Sequence, residues 1–314
     1  MTAAEAGGAP TRRQLWVLVA LTLVWGINWP VMKIGVSGLP ALPQTYPPLT
    51  FRALSMLFGV PVLALVLWRL KVPFRVERRH WRGVLALALS NMIVWHIIII
   101  VAVQQLSSGR AAILGYTMPV FSALLGAFVF GDRLNGRQLA GVAAASIGVA
   151  LLLAHEFGKL SGAPLAALAT LVGAAAWAYG THRLRRSTLP LALLTIVFWM
   201  TAVTTAVIVV LALVFEGAQW RPPAPHVAAA VAFNAVGVFG FAHAAWFYLA
   251  RTLPPVASTV SVMLIPVLGT FSGALWLGEA LYWQDFAAMA LMVVAIAAVL
   301  LRPAAVPAVP PAAP

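Results

Sequence analysis

The sequence predicts an all-α membrane protein: ten transmembrane helices built as two inverted five-helix repeats. Three observations predict it. The 314 residues are 62% hydrophobic and 9% charged, with mean hydropathy +0.97, and a water-soluble domain of that size cannot hide so much apolar surface. Apolar stretches of about 20 residues, the helical length that crosses a bilayer, recur along the whole chain, and the short alternating segments of a β-barrel do not occur. Finally, one segment is written twice. Tyr116 to Ala143 contains Pro119-Val120, Gly126-Ala127, Gly131-Asp132 and Leu134. Met263 to Ala290 contains Pro266-Val267, Gly273-Ala274, Gly278-Glu279 and Leu281, at an offset of 147 residues that also carries His96 onto His243.

The expected spans are 15–36, 45–68, 82–104, 107–130, 137–154, 163–183, 190–215, 226–250, 255–277 and 283–301. Arg12-Arg13 ahead of Leu15 resembles the start of a secretory signal, but no small-residue cleavage site follows and the apolar run continues to Ile34, so it reads as an uncleaved first span. The joints at Leu106–Ser108 and Arg251–Pro255 are so short that their flanking spans must be antiparallel hairpins. The organisation is a cytoplasmic tail at 1–14, a first repeat at 15–156, a second at 157–302, and an Ala/Pro-rich tail at 303–314 expected to be disordered.

Charge orients the spans. With the N-terminus in the cytoplasm, that side receives Arg12, Arg13, Arg69, Lys71, Arg75, Arg78, Arg79, Arg82, Arg133, Arg137, Arg183, Arg185, Arg186, Arg251 and Arg302. The other side receives only Lys33, Arg110, Lys159 and Arg221, so both termini are expected inside. Because five spans is an odd number, the second repeat must enter the membrane from the opposite face. Inverted repeats are a common architecture of secondary transporters, with substrate held near the midplane between them. The net charge of +13 is thus explained by orientation, without a basic domain that would track nucleic acid. The absence of cysteine excludes disulfides and thiolate chemistry. No nucleotide-binding loop appears, no cofactor is implied, and the expected partners are a small-molecule substrate and the bilayer, with the chain a monomer or weak homodimer.

Several ordered motifs resemble the EamA-type repeats of the drug/metabolite transporter superfamily. They are Trp25-Gly26-Ile27-Asn28 with Lys33; Pro48 with Arg52; Ser108-Gly109-Arg110-Ala111 leading to Pro119-Val120; Gly131-Asp132-Arg133-Leu134; and Gly141 to Gly148. The second copy matches at Trp177-Ala178, Pro266-Val267 and Gly278-Glu279-Ala280-Leu281. The resemblance implies an inner-membrane exporter of amino acids, other small metabolites or drug-like compounds, working by alternating access; a broad drug exporter or an importer or exchanger is the alternative.

No Asp or Glu falls in the middle of any span: Asp132, Glu156, Glu216, Glu279 and Asp285 lie at span ends or in loops. That pattern argues against a dedicated cation/proton antiporter, an intramembrane hydrolase or a metal site, the inverted repeat argues against a scaffold, and Asp132 and Glu279 are expected to cap or solvate the start of the spans that follow them. His96 and His243 sit mid-span at matched positions. They are candidates for substrate binding or proton linkage, against the plainer reading of two neutral histidines bonded to neighbouring helices; His182 is expected at the interface. Arg52 is a candidate for a substrate carboxylate, Lys33 for snorkelling, and Arg110 for the outer mouth. Trp16, Trp68, Trp81, Trp220 and Trp283 are expected in the interfacial belt. Trp25, Trp29, Trp95, Trp177 and Trp246, with Asn28, Tyr116 and Tyr179, are candidates for an aromatic-walled cavity. Pro119 and Pro266 are candidate gating bends, and Gly269 with Gly273 a close helix contact.

Overall fold

The computed structural model describes residues 11–42, 44–131, 134–158, 163–252 and 255–300. Both tails, Asp132 and Lys159 lie outside the described residues. Within them the chain forms ten helical rods in sequence order. The first, α1 (Arg12–Ser37), opens on a capping box in which Thr11 and Gln14 exchange hydrogen bonds with each other's backbone N–H. Next, α2 (Pro48–Arg69) starts on a proline, whose missing N–H costs nothing in a first turn. Then come α3 (Arg78–Gln105), α4 (Ser108–Phe128), α5 (Gly136–Gly158), α6 (Pro164–Arg185) and α7 (Leu193–Gln219). The eighth rod, α8, runs continuously through Pro225–Ala232, Phe233–Ala242 and His243–Thr252, followed by α9 (Pro255–Leu277) and α10 (Trp283–Leu300). Eight of the ten are long and apolar enough to span a bilayer, and α9 and α10 carry the shorter apolar stretches Met263–Leu277 and Trp283–Ala298. The protein is an all-α membrane protein. Of the five tryptophans expected in the interfacial belt, Trp16, Trp68, Trp220 and Trp283 are exposed, while Trp81 is half-buried and meets Trp199 edge-on at 4.9 Å.

Packing between the halves follows a two-fold pattern. Rod α1 packs on α8 and α9, and its counterpart α6 packs on α3 and α4. Rod α2 packs on α8, and α7 on α3, while α4 with α9, α5 with α10 and α2 with α7 meet their own counterparts. Partners exchange when the halves are exchanged, as a two-fold relation requires. Both α3 and α8 also contain a π-helical stretch at corresponding depth, Ala88–Ile93 and Phe233–Ala242. Such stretches widen the helix and recur at functional sites.

The matched prolines differ in setting. Pro266 lies inside the continuous α9, whereas α4 breaks at Tyr116-Thr117 and Pro119 sits in the first turn of the segment Met118–Phe128. The glycine pair on α9 makes an internal contact. A Cβ at Gly269 would sit 3.0 Å from Ala112 Cβ and 3.2 Å from Trp29 Cδ1, and Gly273 faces Ser108 and Glu279, so α9 lies tight against α4 and α1.

Short connections make the rod ends alternate between two rims. One carries Arg69, Arg75, Arg78, Arg79, Arg137, Arg183, Arg185 and Arg186, and is called here the arginine rim. The other carries Glu156, Glu216, Glu279 and Asp285, and is called the carboxylate rim.

Candidate functional site

A run of rings crosses the seam between the halves. Trp29 of α1, 4% exposed, meets Tyr116 of α4 edge-on at 6.2 Å between centroids. Gly115 explains how closely these rods approach. A Cβ there would stand 2.7 Å from Trp29 Cη2 and 3.1 Å from Trp95 Cη2, so the two indole rims converge where a side chain is missing. Trp95 of α3 meets Trp177 of α6 at 6.0 Å, and Trp177 meets His96 at 6.4 Å. His96 lies 5.5 Å from Phe239 of α8, which stacks on His243 at 5.6 Å and 13°. The Arg52 guanidinium of α2 lies 5.7 Å from the Phe239 centroid.

Trp29, Arg52, Trp95, His96, Tyr116, Trp177 and His243 are thus brought together, and Phe239 joins them. Phe239 escaped the sequence reading because an apolar ring in an apolar run carries no signal. Asn91 was also missed. It is a lone amide in the π stretch of α3, and it donates to the Trp177 carbonyl at 3.0 Å and to Thr181 Oγ1 at 3.2 Å, tying α3 to α6. A polar residue in an apolar run was the signal that could have found it. Other candidates stand apart. Trp25 pairs with Trp246 at 5.6 Å in a side cluster with Leu21, Ala242 and Leu249. Tyr179 is 37% exposed and packs with Phe130 and Arg183 at the arginine rim. Asn28 is buried with its Oδ1 lacking a partner. A recess of about 400 Å³ between Pro73–His80 and Pro190–Thr195 lies at the arginine rim and contains none of these rings.

The polar groups of the cluster differ sharply in how they are satisfied. Nδ1 of His243 lies 2.8 Å from the Val238 carbonyl, a contact in which the nitrogen must donate. His96 is 6% exposed, and neither of its ring nitrogens has a hydrogen-bond partner. Arg52 is 2% exposed, and its Nε is likewise unpartnered.

The four described carboxylates of the carboxylate rim are all paired. Arg110 is buried and donates to both oxygens of Asp285, at 2.7 and 3.2 Å, and to Glu156. Read from sequence as marking the outer mouth, it ties α4 to α5 and α10, because its guanidinium fork can satisfy two carboxylates at once. Glu279 does cap a helix, but not the one that follows it. Its carboxylate accepts from the Ser108 N–H at 2.8 and 3.0 Å and from Ser108 Oγ at 2.8 Å, closing the start of α4 in the other half. Glu216 does the same for α2, accepting from the N–H of Leu49 at 3.0 Å and of Thr50 at 2.7 Å. Lys33, expected to snorkel, donates to the Gln104 and Leu106 carbonyls at the end of α3, at 2.8 and 2.9 Å. Between rods, Tyr46 donates to the Arg221 carbonyl at 3.0 Å, and burial pushes its phenol pKa above the ordinary value, keeping the hydroxyl a donor.

At the arginine rim, where the sequence placed it, His182 is buried by its neighbours. It is 9% exposed, stacks on Phe130 at 4.8 Å, and places Nε2 at 2.9 Å from Ser122 Oγ and Nδ1 at 2.9 Å from Arg186. This contact holds α6 against α4.

Residues 13–154 and 161–301 each match the EamA-like transporter family. The chain is similar to an inner-membrane transporter of Escherichia coli strain K12, YedA, uncharacterized in function, with 29% identity over 303 residues covering 95% of this chain and 94% of that one. It is also similar to a protein of the same strain named a probable amino-acid metabolite efflux pump, with 29% identity over 213 residues covering 66% of each. A crystal structure at 20% identity covers 92% of this chain and 96% of its own, with a TM-score of 0.63, and so shares the fold.

Proposed function

This chain belongs to the EamA-like transporter family, and from that premise we propose that it exports small organic metabolites, amino acids or aromatic compounds above all, across the inner membrane. One observation carries this reading: the rings of Trp29, Trp95, His96, Tyr116, Trp177 and Phe239 meet at the seam between the halves, drawn from α1, α3, α4, α6 and α8. Aromatic faces at an inter-repeat seam suit flat or amphipathic solutes, and the seam is where alternating access needs a site. The relative named as an amino-acid metabolite efflux pump supports the same substrate class. Export proceeds as the halves rock about the ring cluster, with the carboxylate rim facing outward and the arginine rim the cytoplasm. Purified protein in liposomes, loaded with unlabelled phenylalanine or tryptophan, should accumulate the labelled compound by counterflow. If none of the amino acids and aromatic compounds tried moves under any gradient, the reading fails.

A further inference from the structure

We propose that Arg52 and His96 form an anion subsite that takes the carboxylate of the transported molecule, so that the substrate class is acids with an apolar or aromatic body, amino acids among them. The inference rests on the transport reading above and adds the group by which the substrate is held.

Arginine stays protonated in proteins, and a buried cation is retained where an anion meets it. Arg52 is fully inside the helix bundle, yet no ion pair involves it among the described residues. Its recorded contacts are Met32 Sδ and the Phe239 ring, neither of which neutralises a charge. The described carboxylates are all committed elsewhere: Glu156 and Asp285 to Arg110, Glu216 to the start of α2, Glu279 to the start of α4, and Glu77 to Arg79. No described side chain supplies its counter-charge.

His96 completes the arrangement. It approaches the same Phe239 ring that Arg52 overlies, and both of its ring nitrogens are bare. One nitrogen of a neutral imidazole carries a hydrogen and can donate. A carboxylate presents two oxygens and accepts from a guanidinium Nε–H and an imidazole N–H together. The adjoining rings of Trp95 and Trp177 would receive the apolar body. A ligand without a carboxylate leaves both donors unanswered, and a buried polar group left unpaired rejects such analogues strongly.

The test compares three matched probes on the full-length protein: 3-phenylpropanoate, its methyl ester and phenethylamine. Binding is read in detergent by quenching of tryptophan fluorescence, and transport by counterflow in liposomes. The acid should bind at least tenfold more tightly than the ester or the amine. Arg52→Gln should weaken acid binding at least tenfold while leaving ester and amine binding unchanged. Arg52→Lys, which keeps charge without the fork, should fall between, and serves if the Gln variant does not fold. Equal binding of acid and ester, or acid binding unaffected in a folded Arg52 variant, overturns the subsite. Equal quenching by chloride at the same concentration also overturns it, since the site would then be one for inorganic ions. Acid that binds through Arg52 but is not moved leaves the subsite standing and sinks the export reading instead.

Discussion

His96 and His243 occupy matched positions in the two repeats and share one ring, Phe239, at 5.5 and 5.6 Å. Their hydrogen bonding is not matched. The π-helical stretch of α8 turns the Val238 carbonyl toward His243, which uses it, while His96 has neither nitrogen engaged. One ring nitrogen of His243 is therefore engaged by its own helix, while both of His96 are unengaged. His96→Gln should reduce counterflow about tenfold, the equivalent of roughly 1.4 kcal/mol of lost transition-state stabilisation. His243→Gln should cost less than about threefold. Equal losses in the two variants would remove the distinction.

The Arg110, Glu156 and Asp285 cluster is an expensive arrangement to leave half-made. Removing one member of a buried ion pair strands the others in low dielectric, at a cost of about 3–5 kcal/mol. Arg110→Met should therefore lower the melting temperature in detergent by many degrees. Arg79→Ala, which breaks a pair whose side chains are 73% and 56% exposed, should change it little. Similar shifts in the two variants would mean that the buried cluster carries no stability.

Glu279 closes the amino end of α4 from 171 residues away. Glu279→Ala should cost about 1 kcal/mol or more, as an N-cap does, and should speed amide exchange at Ser108 and Gly109 specifically. Unchanged exchange at those two amides in the variant would show that the cap is not what holds this helix end.

That cap also marks how far the sequence could be read. Span limits were legible because apolar runs end where loops must be, and the expected 255–277 coincides with α9. The matched histidines and prolines were legible as a repeat offset. The partners were not. A carboxylate at a span end looks the same whether it caps the next helix or one in the other half, and only the fold brings Glu279 to Ser108 and Glu216 to Thr50. The two carboxylate partners of Arg110 were hidden for the same reason. The ring cluster was legible in part, because tryptophan and histidine stand out at depth in an apolar span. Phe239, in an apolar run, and Gly115, defined by what it lacks, did not.

The lack of native cysteine allows the topology to be tested with single introduced thiols. Gln219→Cys lies in an exposed turn on the carboxylate rim, and Glu77→Cys on the arginine rim. In intact cells a membrane-impermeant maleimide should label Gln219→Cys and spare Glu77→Cys until the membrane is opened. The reverse pattern would invert the whole assignment.

Pro119 and Pro266 share a repeat position but should behave differently. Pro266 lies within α9, where the ring removes a helical hydrogen bond and costs about 3 kcal/mol relative to alanine. The carbonyl of Pro266 meanwhile accepts from Thr270 Oγ1 at 2.8 Å. Pro119 occupies the first turn of its segment, where no N–H is needed. The break ahead of it is held by Thr117 Oγ1 donating to the Leu114 carbonyl at 2.6 Å. Pro119→Ala should leave melting and transport nearly unchanged, within about twofold, because the break does not depend on the ring. Pro266→Ala should raise the melting temperature while slowing counterflow, since α9 without the proline loses the weak point about which it can bend against α1 and α4. A Pro266→Ala protein that is more stable and equally fast would show that the proline is not a gating bend.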